Sequence, residues 1–288
     1  MKTRVMIAAA LAALFVACLP ASAQKRLTIL HFNDTHSHLE PERTGKAKGL
    51  GGAIERAAYK DSVVKADGRK NVLLLHAGDF GQGTSYFPTL HGDIEIDILN
   101  AMGYDCVTLG NHEFDNGIAE LARRLSSLRC PVVCANYDFS STELAPYVKP
   151  YAIVRRGGMK IGIVGLSPAD LSTLVSRETS SRIPFIGNSE VVDRWAAFLK
   201  EEEHCDIVIA LTHIGFSGEV YIDPVLARDT RNVDIIVGGH SHTVLDEPYY
   251  VKNLDGKMVP IVQDGSWGLT AGNLKVVGPH HAYSRKQD

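Results

Sequence analysis

Seven short runs of β-branched and apolar residues constrain the fold: LTILHF (27–32), NVLLLHAG (71–78), CVTLG (106–110), PVVCAN (131–136), KIGIVGL (160–166), DIVIALTH (206–213) and DIIVGGH (234–240). Each is short and ends near glycine or a polar residue, which argues for a buried strand. Amphipathic stretches lie between them at Ala53–Lys65, Ile94–Met102, Ile118–Leu128, Val191–Glu203 and Val220–Arg228. Such strand–helix alternation means an α/β sandwich. Further strands are expected at 151–156, 248–253, 257–263 and 269–277. No Pro/Gly/Ser linker or internal repeat divides the chain, so residues 24–288 read as a single domain. The composition, 45% hydrophobic and 22% charged, is that of a globular protein and excludes disordered or collagen-like classes. With 30 basic against 33 acidic residues the net charge is −3, so no overall basic field recruits nucleic acid.

Residues 1–23 read as a cleavable export signal rather than as part of the fold. Lys2 and Arg4 precede an apolar run from Met6 to Ala17, and Ala21-Ser22-Ala23 offers small residues for a leader peptidase. The run falls short of the roughly 20 residues that a membrane span takes. The alternative is a lipoprotein anchored through Cys18, although Phe15-Val16-Ala17-Cys18 is a poor lipobox. Either reading places the protein outside the cytoplasm, periplasmic or secreted, with no transmembrane segment. Cys106, Cys130, Cys134 and Cys205 each sit beside an apolar run and are expected to be buried and free. If 131–133 is a strand, the Cα atoms of Cys130 and Cys134 lie ~13 Å apart, too far for a disulfide.

Unusual polar residues fall where the strands end, the place where open α/β sheets gather ligands. Asn33, Asp34, Thr35 and His36 follow the first run, and Gly78, Asp79, Phe80 and Gly81 the second. Gly110, Asn111, His112, Glu113, Phe114 and Asp115 follow the third; Thr212-His213 and Gly238-Gly239-His240-Ser241-His242 close the sixth and seventh. Oxygen and imidazole donors without thiolates suit Zn²⁺, Mn²⁺, Fe or Co²⁺ rather than a closed structural zinc site. Asp34-x-His36 can put two ligands on one ion, and Asp79, backed by small glycines, can bridge two. The candidates are too many for one tetrahedral ion and suit a pair, the arrangement that holds both oxygens of a phosphoryl displacement.

The set NDTHSHLE, GD-x₃-G, GNHEFDNG, CANYD, a lone TH and GGHSHT resembles the calcineurin-like metallophosphoesterases, and within them the 5′-nucleotidase branch. The resemblance runs from about Leu27 to Val277. It implies a four-layer α/β/β/α sandwich. It implies Asp34, His36 and His242 on one metal, Asn111, His213 and His240 on the other, and Asp79 shared between them. His112 is implied as the catalytic histidine with Asp115 as its partner. The implied cofactors are two divalent ions, Zn or Mn foremost, with Co or Fe as alternatives. The implied reaction is hydrolysis of a phosphate monoester, a 5′-nucleotide above all, by direct attack of a metal-activated hydroxide. A 2′,3′-cyclic phosphodiesterase, a UDP-sugar pyrophosphatase and a non-enzymatic subunit with a vestigial site remain as alternatives. Family members carry a second, C-terminal domain that binds the base, so a separate chain supplying it is an expected partner beside the small phosphorylated substrate.

Blander roles compete at several positions. Asp115 could instead cap the helix beginning near Gly117, where Asn116 is as good a cap. Glu113 and Phe114 read as spacers. His31 lies inside a strand, His38 falls outside the ligand pattern, and His76 replaces the Asp or Ser usual in relatives without touching a ligand. GDFGQG lacks the downstream Lys-Ser/Thr of a P-loop.

Overall fold

The computed structural model describes residues 25–218, 221–277 and 280–283. Residues 1–23, read above as an export signal, lie outside the described residues. In chain order the strands are β1 (Arg26–Phe32), β2 (Val72–His76), β3 (Cys106–Thr108), β4 (Val132–Val133), β5 (Val148–Lys149), β6 (Tyr151–Arg156), β7 (Met159–Leu166), β8 (Ile207–Thr212), β9 (Ile235–Val237), β10 (Tyr249–Lys252), β11 (Met258–Val262), β12 (Gly272–Val277) and β13 (His280–Tyr283). They form two sheets, one ordered β13-β12-β1-β2-β3-β4-β5 and the other β10-β11-β9-β8-β7-β6. In the first sheet β1 to β5 run parallel, with β12 antiparallel on β1. In the second, β7, β8, β9 and β11 are parallel and the edges β6 and β10 antiparallel.

Side-chain alternation along the strands builds three apolar layers. Leu27, Ile29, Leu73 and Leu75 of the first sheet meet Ile161, Ile163, Ile207 and Ile209 of the second in a layer between the sheets. Their neighbours Leu30, Phe32, Val72 and Leu74 face outward onto the helices α1 (Ala53–Asp67), α2 (Asp93–Met102) and α3 (Gly117–Leu125), through Val63, Leu99 and Leu121. Val208, Ala210 and Ile236 do the same on the far side, against α4 (Ser189–Glu201) and α5 (Asp223–Asp229). The result is the four-layer α/β/β/α order, both sheets covered on both faces, which explains the nearly unbroken apolar strands.

Some boundaries differ from the sequence reading. The run 131–136 pairs as a strand only at Val132–Val133, because the Cys134 N–H then donates to Lys149 and the Ala135 N–H to Gly165 of β7. The chain crosses from one sheet to the other there. The strand expected at 269–277 starts at Gly272, after a turn in which Gly265, Trp267 and Gly268 all have positive φ. The fifth helix begins at Asp223 rather than Val220, with a proline in its first turn, where proline fits without losing a hydrogen bond. The four cysteines are free; Cys130 is half-buried rather than buried. Among the described residues no helix is long and apolar enough to cross a membrane.

Candidate metal centre

Five strand ends bring the candidate residues to one rim. Asp34 and His36 lie in the turn after β1, Asp79 after β2, Asn111 and His112 after β3, His213 at the end of β8, and His240 and His242 after β9. Donor atoms of Asp34, His36 and His242 lie within 4.8 Å of one another, and so do those of Asp79, His213 and His240. The backbone is bent to achieve this: Asp34, His36, Asp79, His240 and His242 all have φ between 45° and 80°. Aspartate and histidine tolerate this left-handed region better than most residues, and such strain gathers at functional sites. Glycine is required beside them. A Cβ on Gly239 would stand 2.6 Å from the Ala77 carbonyl oxygen and 2.9 Å from His213 Nδ1.

Asp34, Asp79 and His213 each have one polar atom held by the protein and another turned toward the other candidates. Asp34 Oδ2 accepts from Asn33 Nδ2 at 2.7 Å and from the His240 N–H at 2.9 Å. Its Oδ1 has no hydrogen-bond partner, yet lies 3.3 Å from His242 Nε2 and 3.7 Å from Nε2 of both His36 and His213. Asp79 Oδ1 accepts from the His112 N–H at 3.0 Å, while Oδ2 faces His213 Nε2 at 2.9 Å and His36 Nε2 at 3.9 Å. The Nδ1–H of His213 donates to the Ala77 carbonyl at 2.6 Å, which leaves the Nε2 lone pair inward. Asn111 Oδ1 is likewise buried without a partner.

Orphaned buried oxygens and imidazole nitrogens aimed at common points cost stability unless a cation satisfies them. This donor set therefore fits divalent ions of the Zn or Mn type. The electrostatics agree. Burial lowers His36, and lowers His240 to about 4, so both are neutral and able to donate a lone pair. Burial also works to lower His213, but the Asp79 and Asp34 carboxylates outweigh it and lift the ring to about 10. Two buried carboxylates demand positive charge here.

His112 is placed differently. Its ring centroid lies 5.4 Å from that of His36, and one donor atom each of His36, Asp79 and His112 lie within 4.8 Å of one another. Its Nδ1 is 2.9 Å from Asp115 Oδ2, which leaves Nε2 to serve the cleft. That hydrogen bond raises the His112 pKa. Asp115 is thus engaged with His112; Asn116 occupies the N-cap position of α3, without a side-chain cap.

Glu113 is not a spacer. Fully buried, it accepts hydrogen bonds from the backbone N–H groups of Asp79, Phe80, Gly81 and Gly110. Four donors and no acceptor suit its ionised form. The available sequence signal was indirect: two glycine-containing loops whose buried N–H groups need an acceptor. His76 is buried beneath the site with Nε2 3.1 Å from Thr35 Oγ1, and burial lowers it to about 3. His38, outside the ligand pattern, stacks on Trp267 at the cleft wall.

A family profile described as calcineurin-like phosphoesterase matches residues 27–244. A snake venom 5′-nucleotidase from Gloydius brevicauda is 33% identical over 280 residues, covering 89% of this chain and 46% of that protein. The 5′-nucleotidase of Bos taurus is 33% identical over 288 residues, covering 89% and 47%. The crystal structure of a 5′-nucleotidase precursor from Thermus thermophilus superposes with a TM-score of 0.79 at 36% identity, covering 87% of this chain and 51% of that one. The chain spans about half the length of these relatives. By its profile, its relatives and its two-sheet fold, the chain belongs to the calcineurin-like phosphoesterase family.

Proposed function

We propose that the protein is an exported hydrolase of phosphate monoesters, 5′-nucleotides foremost, working at two divalent cations. Asp34, His36 and His242 would hold one ion, Asn111, His213 and His240 the other, with Asp79 between them. The observation that carries this reading is the pair of ligand triads beside the His112–Asp115 hydrogen bond. When bound, the ions supply Lewis acidity toward the phosphoryl group and a water acidified for attack. The chain's own part is then positional and acid–base. Asp115 fixes the His112 proton at Nδ1 and favours the doubly protonated ring, and Nε2–H is the donor to the leaving oxygen as its bond to phosphorus breaks.

The test is metal analysis of the purified protein joined to a phosphate-release panel. Two equivalents of transition metal with release from nucleoside 5′-monophosphates is the expected result. Cleavage confined to 2′,3′-cyclic phosphates or to UDP-sugars would move the assignment to those substrates at the same ions. A single equivalent with no turnover on any ester would overturn it.

A further inference from the structure

Trp267 shares the wall of a cleft of about 320 Å³ with His36, His112, His240 and His242, a volume at the lower end of the range for small-molecule sites (roughly 300 Å³ upward). Tryptophan is normally well covered, yet this one is 40% exposed. Its backbone is also strained: φ is 61°, an outlier for so bulky a residue, and such outliers persist only where the surroundings enforce them.

The enforcement comes from the metal loop itself. The Trp267 N–H donates to the Asp34 carbonyl at 2.6 Å, and Asn33 Nδ2 donates to the Gly265 carbonyl at 2.6 Å. The indole therefore has a fixed position relative to the Asp34 carboxylate. One of its faces is occupied by His38, with ring centroids 4.8 Å apart and planes 9° from parallel. His38 is anchored in turn: its Nδ1–H donates to Glu42 at 2.7 Å, and Arg56 holds its carbonyl at 2.9 Å. A two-ring stack with one member exposed beside a phosphate-handling centre is built to take a third flat ring.

We infer that Trp267, backed by His38, is a stacking platform for the alcohol part of the substrate, which selects phosphate esters carrying a planar ring, nucleoside or aryl, over aliphatic ones. The inference rests on the phosphoester hydrolase reading and assigns base recognition to this chain's own residues. Base–aromatic stacking is worth about 1–3 kcal/mol, or roughly 5- to 150-fold in affinity.

The experiment compares adenosine 5′-monophosphate with ribose 5-phosphate, which share phosphate and sugar and differ in the ring. The wild type should prefer the nucleotide in kcat/KM. Trp267→Asn, chosen because asparagine accepts a left-handed backbone, should cut that preference about 5- to 50-fold, mainly through KM, and Trp267→Phe should restore most of it. An unchanged preference in Trp267→Asn overturns the platform. Equilibrium binding of phenylphosphonate and methylphosphonate to the Mn²⁺-loaded wild type, neither of which can be hydrolysed, decides independently of folding or turnover of the variants. Tighter binding of the phenyl compound with quenching of tryptophan emission supports the platform, and equal binding overturns it. If the wild type cleaves neither ester, the monoesterase reading fails while the phosphonates still judge the platform.

Discussion

Oε2 of Glu113 ties the Asp79 loop to the Gly110 loop, accepting the Asp79 N–H at 2.8 Å and the Gly110 N–H at 2.7 Å. One buried oxygen thus fixes the backbone on which the Asp79 carboxylate sits relative to the backbone that leads into Asn111. Glu113→Gln would turn an amide N–H toward these donors. The expected cost is about 2–4 kcal/mol of unfolding free energy, measured by urea denaturation of chelator-treated protein, together with weaker metal retention on dialysis. Unchanged stability would show that the four hydrogen bonds contribute little.

His112→Ala should lower turnover about 10²–10⁴-fold and leave metal content intact. Loss of metal in this variant would mark His112 as a ligand instead.

The hydrogen bond that His112 donates to Asp115 raises the His112 pKa, so the ring keeps its proton to higher pH than a free imidazole. Asp115→Asn removes that support, and the alkaline limb of the kcat–pH profile should move to lower pH. The same bond contributes stability that is fully present below the unfolded-state pKa of His112 and fades as pH rises through the raised folded-state value. A limb that stays in place in Asp115→Asn would separate His112 from the rate-limiting proton transfer.

Chelation should abolish phosphate release, and added Mn²⁺ or Zn²⁺ should restore it. Because the ions bind the native state's convergent donors, saturating metal should also raise the melting temperature, by an amount equivalent to about 4 kcal/mol at a thousandfold excess over Kd. Asp34→Asn should weaken one ion more than the other, which titration calorimetry resolves.

Asp223 offers a pH test away from the cleft. Buried at the start of α5, with Oδ1 accepting from Thr212 Oγ1 at 2.6 Å, its carboxyl is pushed up to about 7 by desolvation. Between the ordinary aspartate range and pH 7 the native state holds a proton that the unfolded state has lost, so stability falls as pH rises across that window. Asp223→Asn should flatten the fall and gain up to about 4 kcal/mol relative to wild type at pH 8. Parallel pH curves for the two proteins would contradict this.

Much of this was legible in the sequence because buried strands and the polar residues at their ends are local signals. Ile207–Thr212 reads as a strand from its own residues, and His213 follows at its end. What was not legible depends on partners far along the chain. Nothing local marks Glu113 as an acceptor for residues more than 30 positions away, and it passed as a spacer. Trp267 likewise takes its meaning from Asp34 and His38, over 200 positions earlier. The strand at 131–136 is cut short by Gly165, whose carbonyl draws Ala135 toward the other sheet.

The two halves of the candidate metal centre stand on different sheets: Asp34, Asp79 and Asn111 on the one, His213, His240 and His242 on the other. The aliphatic filling between them, Ile29 and Leu75 against Ile163 and Ile209, is thus a spacer gauge whose thickness sets how far apart the opposing donors stand. Trimming a methyl group there reaches the chemistry without touching a ligand, and close packing leaves little slack to absorb it. Side chains outside the site thereby calibrate the distance across which its two halves face each other.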